Sequence, residues 1–143
     1  MGKIENTVRD HYSVGDLEKN ILHGLAATGK DLERLTTEDL SIFDEFHIGG
    51  REATEFAISK LSLTGDEHIL DVGSGIGGAA RTIAVHTRCK VSGIDLTPEY
   101  VSAAEMLTTM TGLEDKVGFQ VASALSMPFD DATFDAASPF TYP

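Results

Sequence analysis

Apolar residues in the first third of the chain recur at intervals of three and four positions, which is typical of amphipathic helices. A first helix is predicted to begin at Asp16, a favourable N-cap residue, and to stop before Gly29, where a left-handed residue would end it. Its inward face carries four apolar residues, Leu17, Ile21, Leu22 and Leu25. This segment is therefore predicted to pack against another element.

Two shorter helices are predicted to follow. Thr36 and Asp39 have the spacing of a capping signal and predict a helix that runs through Phe43. A third helix is predicted from about Arg51 to Leu61. The residues expected to face inward on the third helix are Ala53, Phe56, Ala57 and Leu61. Three helices thus precede any strand.

From Glu67 the pattern changes to short apolar runs separated by helical stretches, which is the alternation of parallel βαβ units. Strands are predicted over residues 68–72, 90–95 and 117–121, with a fourth beginning at 133–137. Helices are predicted over about 78–87 and again from Thr97, the N-cap, and Pro98. The predicted fold class is therefore α/β, with a parallel sheet and N-terminal helices.

Composition and charge narrow the possible partners. The 143 residues suffice for one domain, and 23 acidic against 11 basic side chains give a net charge of −12, which disfavours a nucleic-acid partner. No stretch reaches the roughly 20 apolar residues that cross a bilayer, and the first residues lack a signal peptide, so we expect a cytoplasmic protein with no membrane partner. The five histidines lack metal-ligand spacing, so no metal site is expected. Cys89 is expected to be a buried thiol.

A glycine-rich turn between the first strand and the next helix is the clearest chemical signal. Gly73, Gly75 and Gly78 satisfy the pattern Gly-x-Gly-x-x-Gly, and Asp95 follows at the end of the second strand, where a carboxylate can accept hydrogen bonds from two ribose hydroxyls. Glycines let a ligand approach the backbone, and the helix N-terminus adds N–H groups. By itself this pattern fits NAD as well as S-adenosylmethionine.

Asp71 separates these two ligands, because it precedes the first glycine by two residues. A carboxylate there would repel the pyrophosphate of a dinucleotide by roughly 4 kcal/mol at about 4 Å and an effective dielectric of about 20. S-adenosylmethionine presents an ammonium and a sulfonium instead, which a carboxylate attracts. Asp71 therefore favours S-adenosylmethionine.

Residues 69–78, read as Asp-x-Gly-x-Gly-x-Gly, resemble the signature of class I S-adenosylmethionine-dependent methyltransferases, and residues 93–99 resemble the family's ribose-binding segment. The resemblance implies a Rossmann-like sheet of strand order 3-2-1-4. It also implies that Leu96 packs on the adenine and that the segment from Val121 to Phe129 closes the adenine pocket. Ser123 stands where the family usually has Asp, which puts the strength of adenine recognition in doubt.

Residues 8–13 and 44–51 resemble the N-terminal helices of small-molecule methyltransferases of the sarcosine and dimethylglycine type and the quinone type. There these helices form a lid, so residues 1–62 are interpreted as a helical lid and residues 63–143 as the cofactor-binding domain. The resemblance implies lid or substrate roles for His47 and Gly50. The residues assigned to the cofactor are Tyr12, Asp71, Gly73, Ser74, Gly75, Gly77, Asp95, Leu96, Ser123, Ala124 and Leu125. Arg81, on the helix after the turn, is interpreted as a surface or ion-pair residue.

The expected function is methyl transfer from S-adenosylmethionine to a small-molecule N, O or C acceptor, with no catalytic residue assigned. An inactive module that binds the cofactor and acts through a partner is an alternative, and an NAD-dependent oxidoreductase is a weaker one. In the family three more strands follow the fourth, whereas residues 138–143 contain two prolines, so the domain is interpreted as C-terminally truncated. The fourth strand would then be an exposed edge, which predicts a homo-oligomer through that edge.

Overall fold

The computed structural model describes residues 16–44 and 50–138. Five helices in this part of the chain are α1 (Asp16–Ala27), α2 (Thr37–Asp44), α3 (Gly50–Ser59), α4 (Gly78–Thr87) and α5 (Pro98–Met110). Four strands are β1 (His68–Val72), β2 (Lys90–Asp95), β3 (Val117–Val121) and β4 (Ala136–Ser138). Strands and helices alternate from β1 to β3 in a parallel sheet, which confirms the α/β class.

The strands form one parallel sheet of order β3-β2-β1-β4, which confirms the predicted order. In the central register Asp71 of β1 lies opposite Gly93 of β2, and Gly93 lies opposite Phe119 of β3. Because all strands are parallel, their carboxyl ends meet at one edge of the sheet. The turns that follow β1 and β2 therefore lie side by side, which is where open α/β sheets bind ligands.

The N-terminal helices begin and end at the predicted signals. Gly29 has φ +74°, the left-handed conformation expected just past α1. At the start of α2, the Thr36 N–H donates to Asp39 Oδ2 at 3.0 Å and the Asp39 N–H donates to Thr36 Oγ1 at 3.3 Å. The Lys30 ammonium, 2.8 Å from Asp39 Oδ1, and the Thr36 N–H hold the pKa of Asp39 at about 2. The start of α2 is thus fixed by a reciprocal cap.

Two apolar clusters build the core. One lies between the sheet and helices α3, α4 and α5, and the other joins α1 and α2 to α5 and the glycine turn. In the second cluster Ile21 and Leu25 of α1 pack with Ala103 and Leu107 of α5. The described N-terminal helices therefore share a core with the sheet domain.

The inward face of α3 differs from the prediction. Phe56 is 64% exposed and Leu61 is 42% exposed, whereas Thr54 and Ile58 are buried. The helix packs through Thr54 and Ile58, which are four positions apart and share one face. The Phe56 ring lies on the surface instead, with its centroid 5.0 Å from the Lys60 ammonium. The prediction was wrong because it assigned the aromatic Phe56 to the buried face instead of the neighbouring face that carries Thr54 and Ile58.

A polar turn fixes the start of β1. Glu67 accepts hydrogen bonds from the N–H groups of Thr64 and Gly65, both at 2.9 Å, and these bonds, led by that from Thr64, hold the pKa of Glu67 at about 2. The Cys89 thiol donates to the same carboxylate, with Sγ 3.4 Å from Oε2, and Cys89 is 0% exposed, as expected. The ionised Glu67 side chain thus closes the turn that leads into the sheet.

The strand β4 is short and lies at the edge of the sheet, paired on one side with β1. Asp135, just before it, is tied to His68 by two hydrogen bonds, from the Asp135 N–H to the His68 carbonyl at 2.9 Å and from the His68 N–H to Asp135 Oδ2 at 2.8 Å. Self-association through this edge stays a prediction. In the described ranges, no helix is long and apolar enough to cross a membrane.

Candidate functional site

The glycine turn lies at the carboxyl end of β1 and leads directly into α4. Gly73, Gly75 and Gly77 have φ values of +71°, +57° and +88°, a region that residues with a Cβ adopt only at a cost. The alternating glycines let the chain reverse direction within four residues. The sequence therefore needs glycine at these three positions for conformational reasons alone, and the surroundings of each decide which one leaves room for a ligand.

Hydrogen bonds to the neighbouring strand hold the turn in place. The N–H groups of Gly73 and Ser74 both donate to the Ile94 carbonyl at 2.9 Å. The Gly75 N–H donates to Asp95 Oδ2 at 2.9 Å, and the Thr97 N–H donates to Asp95 Oδ1 at 2.9 Å. Asp95 therefore bridges the turns that follow β1 and β2, and these bonds leave its oxygens further lone pairs to accept other donors.

A cavity of about 610 Å³ opens between this turn and the N-terminal helices. Its described lining comes from α1, the end of α2, the glycine turn, the end of β2 and the first turn of α5. The lining residues are Leu17, Asn20, Ile21, Phe43, Asp44, Gly73, Ser74, Gly75, Ile76, Asp95 and Tyr100. The lining thus combines apolar and aromatic side chains with the polar turn and two carboxylates.

The glycines of the turn face different surroundings. A Cβ built on Gly75 would meet nothing within 4 Å, so open space lies beside this residue. A Cβ on Gly77 would lie within 2.7 Å of both the Phe119 ring and the Arg81 guanidinium. Gly75 therefore leaves room for a ligand at the cavity wall, whereas Gly77 is required for packing.

Ser74 carries a polar group that the described residues leave without a partner. Its side chain is 0% exposed, and Ser74 Oγ has no hydrogen-bond partner within the described segments. Buried hydroxyl groups are almost always hydrogen-bonded, so the position fits a group supplied from outside this part of the chain.

Asp71 lies beneath the turn. It is 0% exposed and is absent from the described lining of the cavity. The attraction of Asp71 for a positively charged ligand stays a prediction.

The segment predicted to recognise adenine lies next to Asp95. The Ala122 N–H donates to the Asp95 carbonyl at 3.0 Å, which brings the turn after β3 beside the end of β2. Ser123 is half-buried and its Oγ accepts from the Leu125 N–H at 3.1 Å. Leu96 is 66% exposed and Leu125 is 97% exposed, so two apolar side chains are available on this side of Asp95. Ala124, in the same turn, is exposed.

Arg81 is neither exposed nor on the surface, which corrects one of the two interpretations given to it. It is 0% exposed and forms a buried ion pair with Asp44, with Nη2 2.7 Å from Asp44 Oδ2. The sequence offered no sign of this partner, because the two residues are 37 positions apart.

The structure does not test the predicted roles of three residues, Tyr12, His47 and Gly50. Tyr12 and His47 lie outside the described residues, and Gly50 is the first residue of α3. The sequence did not assign seven of the lining residues to the site, namely Leu17, Asn20, Ile21, Phe43, Asp44, Ile76 and Tyr100. Only the helical pattern around Leu17 and Ile21 gave a local signal that this part of α1 would pack inward. Within the described ranges, no group of three or more acidic, histidine or cysteine side chains is placed to hold a metal ion.

A comparison with protein families identifies the class of protein to which this fold and site belong. Residues 69–141, about half of the chain, match the family described as methyltransferase domain. The chain therefore belongs to the methyltransferase domain family.

Individual relatives extend the similarity to particular enzymes. Norajmaline N-methyltransferase of Rauvolfia serpentina is 41% identical over 69 residues, which cover 48% of this chain and 24% of that enzyme. The ubiquinone/menaquinone biosynthesis C-methyltransferase of Citrifermentans bemidjiense is 38% identical over 90 residues, 62% of this chain and 38% of that enzyme. The chain thus spans between about a quarter and two fifths of the length of these relatives.

A solved structure of a geranyl diphosphate methyltransferase in complex with S-adenosylmethionine is similar to this chain in fold and sequence. The two share 25% identity with a TM-score of 0.58, over 61% of this chain and 36% of that one. The similarity to the quinone-type enzymes agrees with the small-molecule branch inferred from the sequence.

Proposed function

We propose that this chain binds S-adenosylmethionine and forms part of a methyltransferase that acts on a small molecule. One observation carries the proposal: Asp95 and the glycine turn face the same cavity, joined by the hydrogen bond from Gly75 to the carboxylate. An acceptor for ribose hydroxyls thus stands directly beside a backbone that a ligand can approach closely.

The cavity fits a ligand of this kind in size and in lining. Its volume of about 610 Å³ falls in the range of roughly 300–1,000 Å³ that small-molecule sites occupy. Open space beside Gly75 and the buried hydroxyl of Ser74 belong to the polar part of the lining, which we assign to the charged amino-acid part of the cofactor. Apolar side chains of α1 and Phe43 supply another part of the lining.

The pattern of hydrogen bonds in the turn favours this cofactor over NAD. The pyrophosphate of a dinucleotide binds N–H groups of the glycine turn and of the helix N-terminus that follows it. Here the N–H groups of Gly73, Ser74 and Gly75 already bind Ile94 and Asp95. Asp71, two residues before the first glycine, adds a carboxylate that repels a pyrophosphate and attracts a cation. Membership of the methyltransferase domain family supports the same choice.

The cofactor supplies an electrophilic methyl group on a sulfonium, which is a good leaving group. The work left to the protein is to align the two reactants and exclude water. In this proposal Asp95 accepts the ribose hydroxyls and the glycine turn supports the amino-acid part. Leu17, Ile21 and Phe43 shield the cavity from water. No general base is assigned.

Further residues complete the proposed cofactor site. Leu96 and Leu125 present apolar side chains to the adenine, and Ser123 and Ala124 lie in the turn beside it. Ser74 and Gly77 belong to the glycine turn. From the resemblance alone, Tyr12 completes the cofactor site, and His47 and Gly50 belong to a lid or substrate region.

We also propose a class of methyl acceptor, a cellular location, a domain division and an assembly for this protein. The methyl acceptor is a small molecule whose accepting atom is N, O or C, and the protein acts in the cytoplasm without a nucleic-acid partner. Residues 1–62 act as the lid and residues 63–143 as the cofactor-binding domain. Pairing of two chains through β4 accounts for the exposed edge.

Transfer of a tritiated methyl group from S-adenosylmethionine to a panel of amines, phenols and carboxylic acids tests the function. We expect incorporation into one acceptor class, and we expect Asp95→Ala to lower it strongly at subsaturating S-adenosylmethionine because the donor is held more weakly. Binding of S-adenosylhomocysteine without incorporation into any acceptor would instead favour the inactive binding module.

A further inference from the structure

A buried arginine joins three parts of the fold around the cavity. Arg81 Nη2 donates to Asp44 Oδ2 at 2.7 Å and to the Ile76 carbonyl at 2.8 Å. Arg81 Nη1 donates to the Ala104 carbonyl at 3.2 Å and to Thr108 Oγ1 at 3.1 Å. One guanidinium therefore connects the end of α2, the glycine turn and the middle of α5.

The burial of this pair makes it sensitive to change. Arg81 is 0% exposed and Asp44 is 4% exposed, so neither charge is solvated by water. A buried ion pair contributes little net stability compared with apolar side chains of the same shape, but removal of one partner leaves the other charge uncompensated. Such a pair is better suited to fixing one arrangement of the elements than to general stabilisation.

The end of α2 rests directly on the start of α4. A Cβ at Gly78 would overlap the carbonyl group of Asp44, so only glycine permits this approach. Asp44 and its neighbour Phe43 line the cavity from the end of α2, and Ile76 lines it from the glycine turn. The guanidinium thus joins two neighbouring parts of the cavity lining, the end of α2 and the glycine turn.

We propose that Arg81 is a positioning residue for the cofactor: through Asp44 it holds the C-terminal end of α2 against the glycine turn and so completes the wall that the cofactor binds. This inference rests on the proposed function. It predicts that the ion pair affects cofactor affinity beyond its effect on stability, because its loss frees α2 to move away from the cavity.

Calorimetric titration of S-adenosylhomocysteine into the wild-type chain and into Asp44→Asn tests the proposal. Asparagine keeps the shape and one acceptor oxygen but removes the charge, so the variant is expected to fold and to bind about 5- to 20-fold more weakly. Arg81→Lys is a second variant with the same expected loss, because one ammonium cannot reproduce four bonds from a planar guanidinium. Circular dichroism establishes that each variant is folded.

Ile83→Val is the matched control. Ile83 lies on the same helix as Arg81, is 0% exposed, and packs in the cluster that does not contain α2. The Ile83→Val variant is expected to have a lower melting temperature because it opens a small cavity, and to bind S-adenosylhomocysteine within about twofold of the wild type.

Hydrogen exchange measures the effect of the ligand on α2 directly. Ligand should slow exchange of residues 37–44 in the wild type and the control but not in Asp44→Asn.

These measurements distinguish failure of the proposed function from failure of the proposed role of Arg81. If the wild-type chain fails to bind S-adenosylhomocysteine, the proposed function fails and this inference fails with it. If the wild type binds and Asp44→Asn and Arg81→Lys bind within about twofold of it, only the role of Arg81 is overturned. Equal affinity losses in these variants and in Ile83→Val at equal melting temperatures would also overturn it, since the pair would then act through stability alone.

Discussion

Replacement of Asp95 by alanine is expected to weaken binding of S-adenosylhomocysteine about 10- to 150-fold. The carboxylate is the proposed acceptor for two ribose hydroxyls, and hydrogen bonds to a charged group contribute about 1.5–3 kcal/mol, at about 1.4 kcal/mol for each tenfold change. Asp95 also accepts the N–H groups of Gly75 and Thr97, so the substitution loosens the turn as well as the ribose contact. Both effects act in the same direction.

Calorimetric titration of Asp95→Ala measures this change directly. Asp115→Ala is the control, because it removes an exposed carboxylate in the loop before β3. That loop lies at the amino ends of the strands, whereas Asp95 lies at the carboxyl end of β2. The control is expected to bind as the wild type does. A change of less than about twofold for Asp95→Ala would show that the ribose assignment is wrong.

Gly77→Ala is expected to destabilise the fold by about 2–5 kcal/mol. The left-handed backbone costs a residue with a Cβ about 1–2 kcal/mol, and overpacking against Phe119 and the Arg81 guanidinium adds about 1–3 kcal/mol. For a chain of this size, the melting temperature should fall by about 6–20 °C. This is a large part of the roughly 5–15 kcal/mol that stabilises an ordinary domain.

Thermal unfolding followed by circular dichroism measures the loss, and Gly112→Ala is the control for backbone strain. Gly112 has φ +71°, and a Cβ there would meet nothing within 4 Å. The control should therefore show the strain without the overlap and lose less stability than Gly77→Ala. Equal losses in the two variants would show that contact with Phe119 and Arg81 is not what requires glycine at position 77.

The local parts of the site could be predicted from the sequence, because each is specified by residues close together in the chain. The glycine turn, Asp95 at the end of its strand and the bounds of α4 from Gly78 to Thr87 all agree with the prediction. A strand that ends in alternating glycines leaves few conformations open to the backbone. The order of strands followed from the resemblance rather than from the pattern itself.

The parts that depend on distant residues could not be predicted. The pairing of Arg81 with Asp44 joins residues from two separate helices, and neither local sequence carries a sign of the other. The inward face of α3 was wrong for a related reason. Position on a helix shows which residues share a face, but the neighbouring element decides which face is buried, and here it selects Thr54 and Ile58 over Phe56.

Titration calorimetry with S-adenosylhomocysteine and, separately, with NADH tests the central claim most directly. Both ligands contain adenosine, so the comparison isolates what the glycine turn and the acidic wall accept beyond it. The account predicts saturable binding of S-adenosylhomocysteine and no binding of NADH, because the N–H groups of Gly73, Ser74 and Gly75 are already engaged and the Asp71 carboxylate opposes a pyrophosphate. Tight binding of NADH together with no binding of S-adenosylhomocysteine would contradict it.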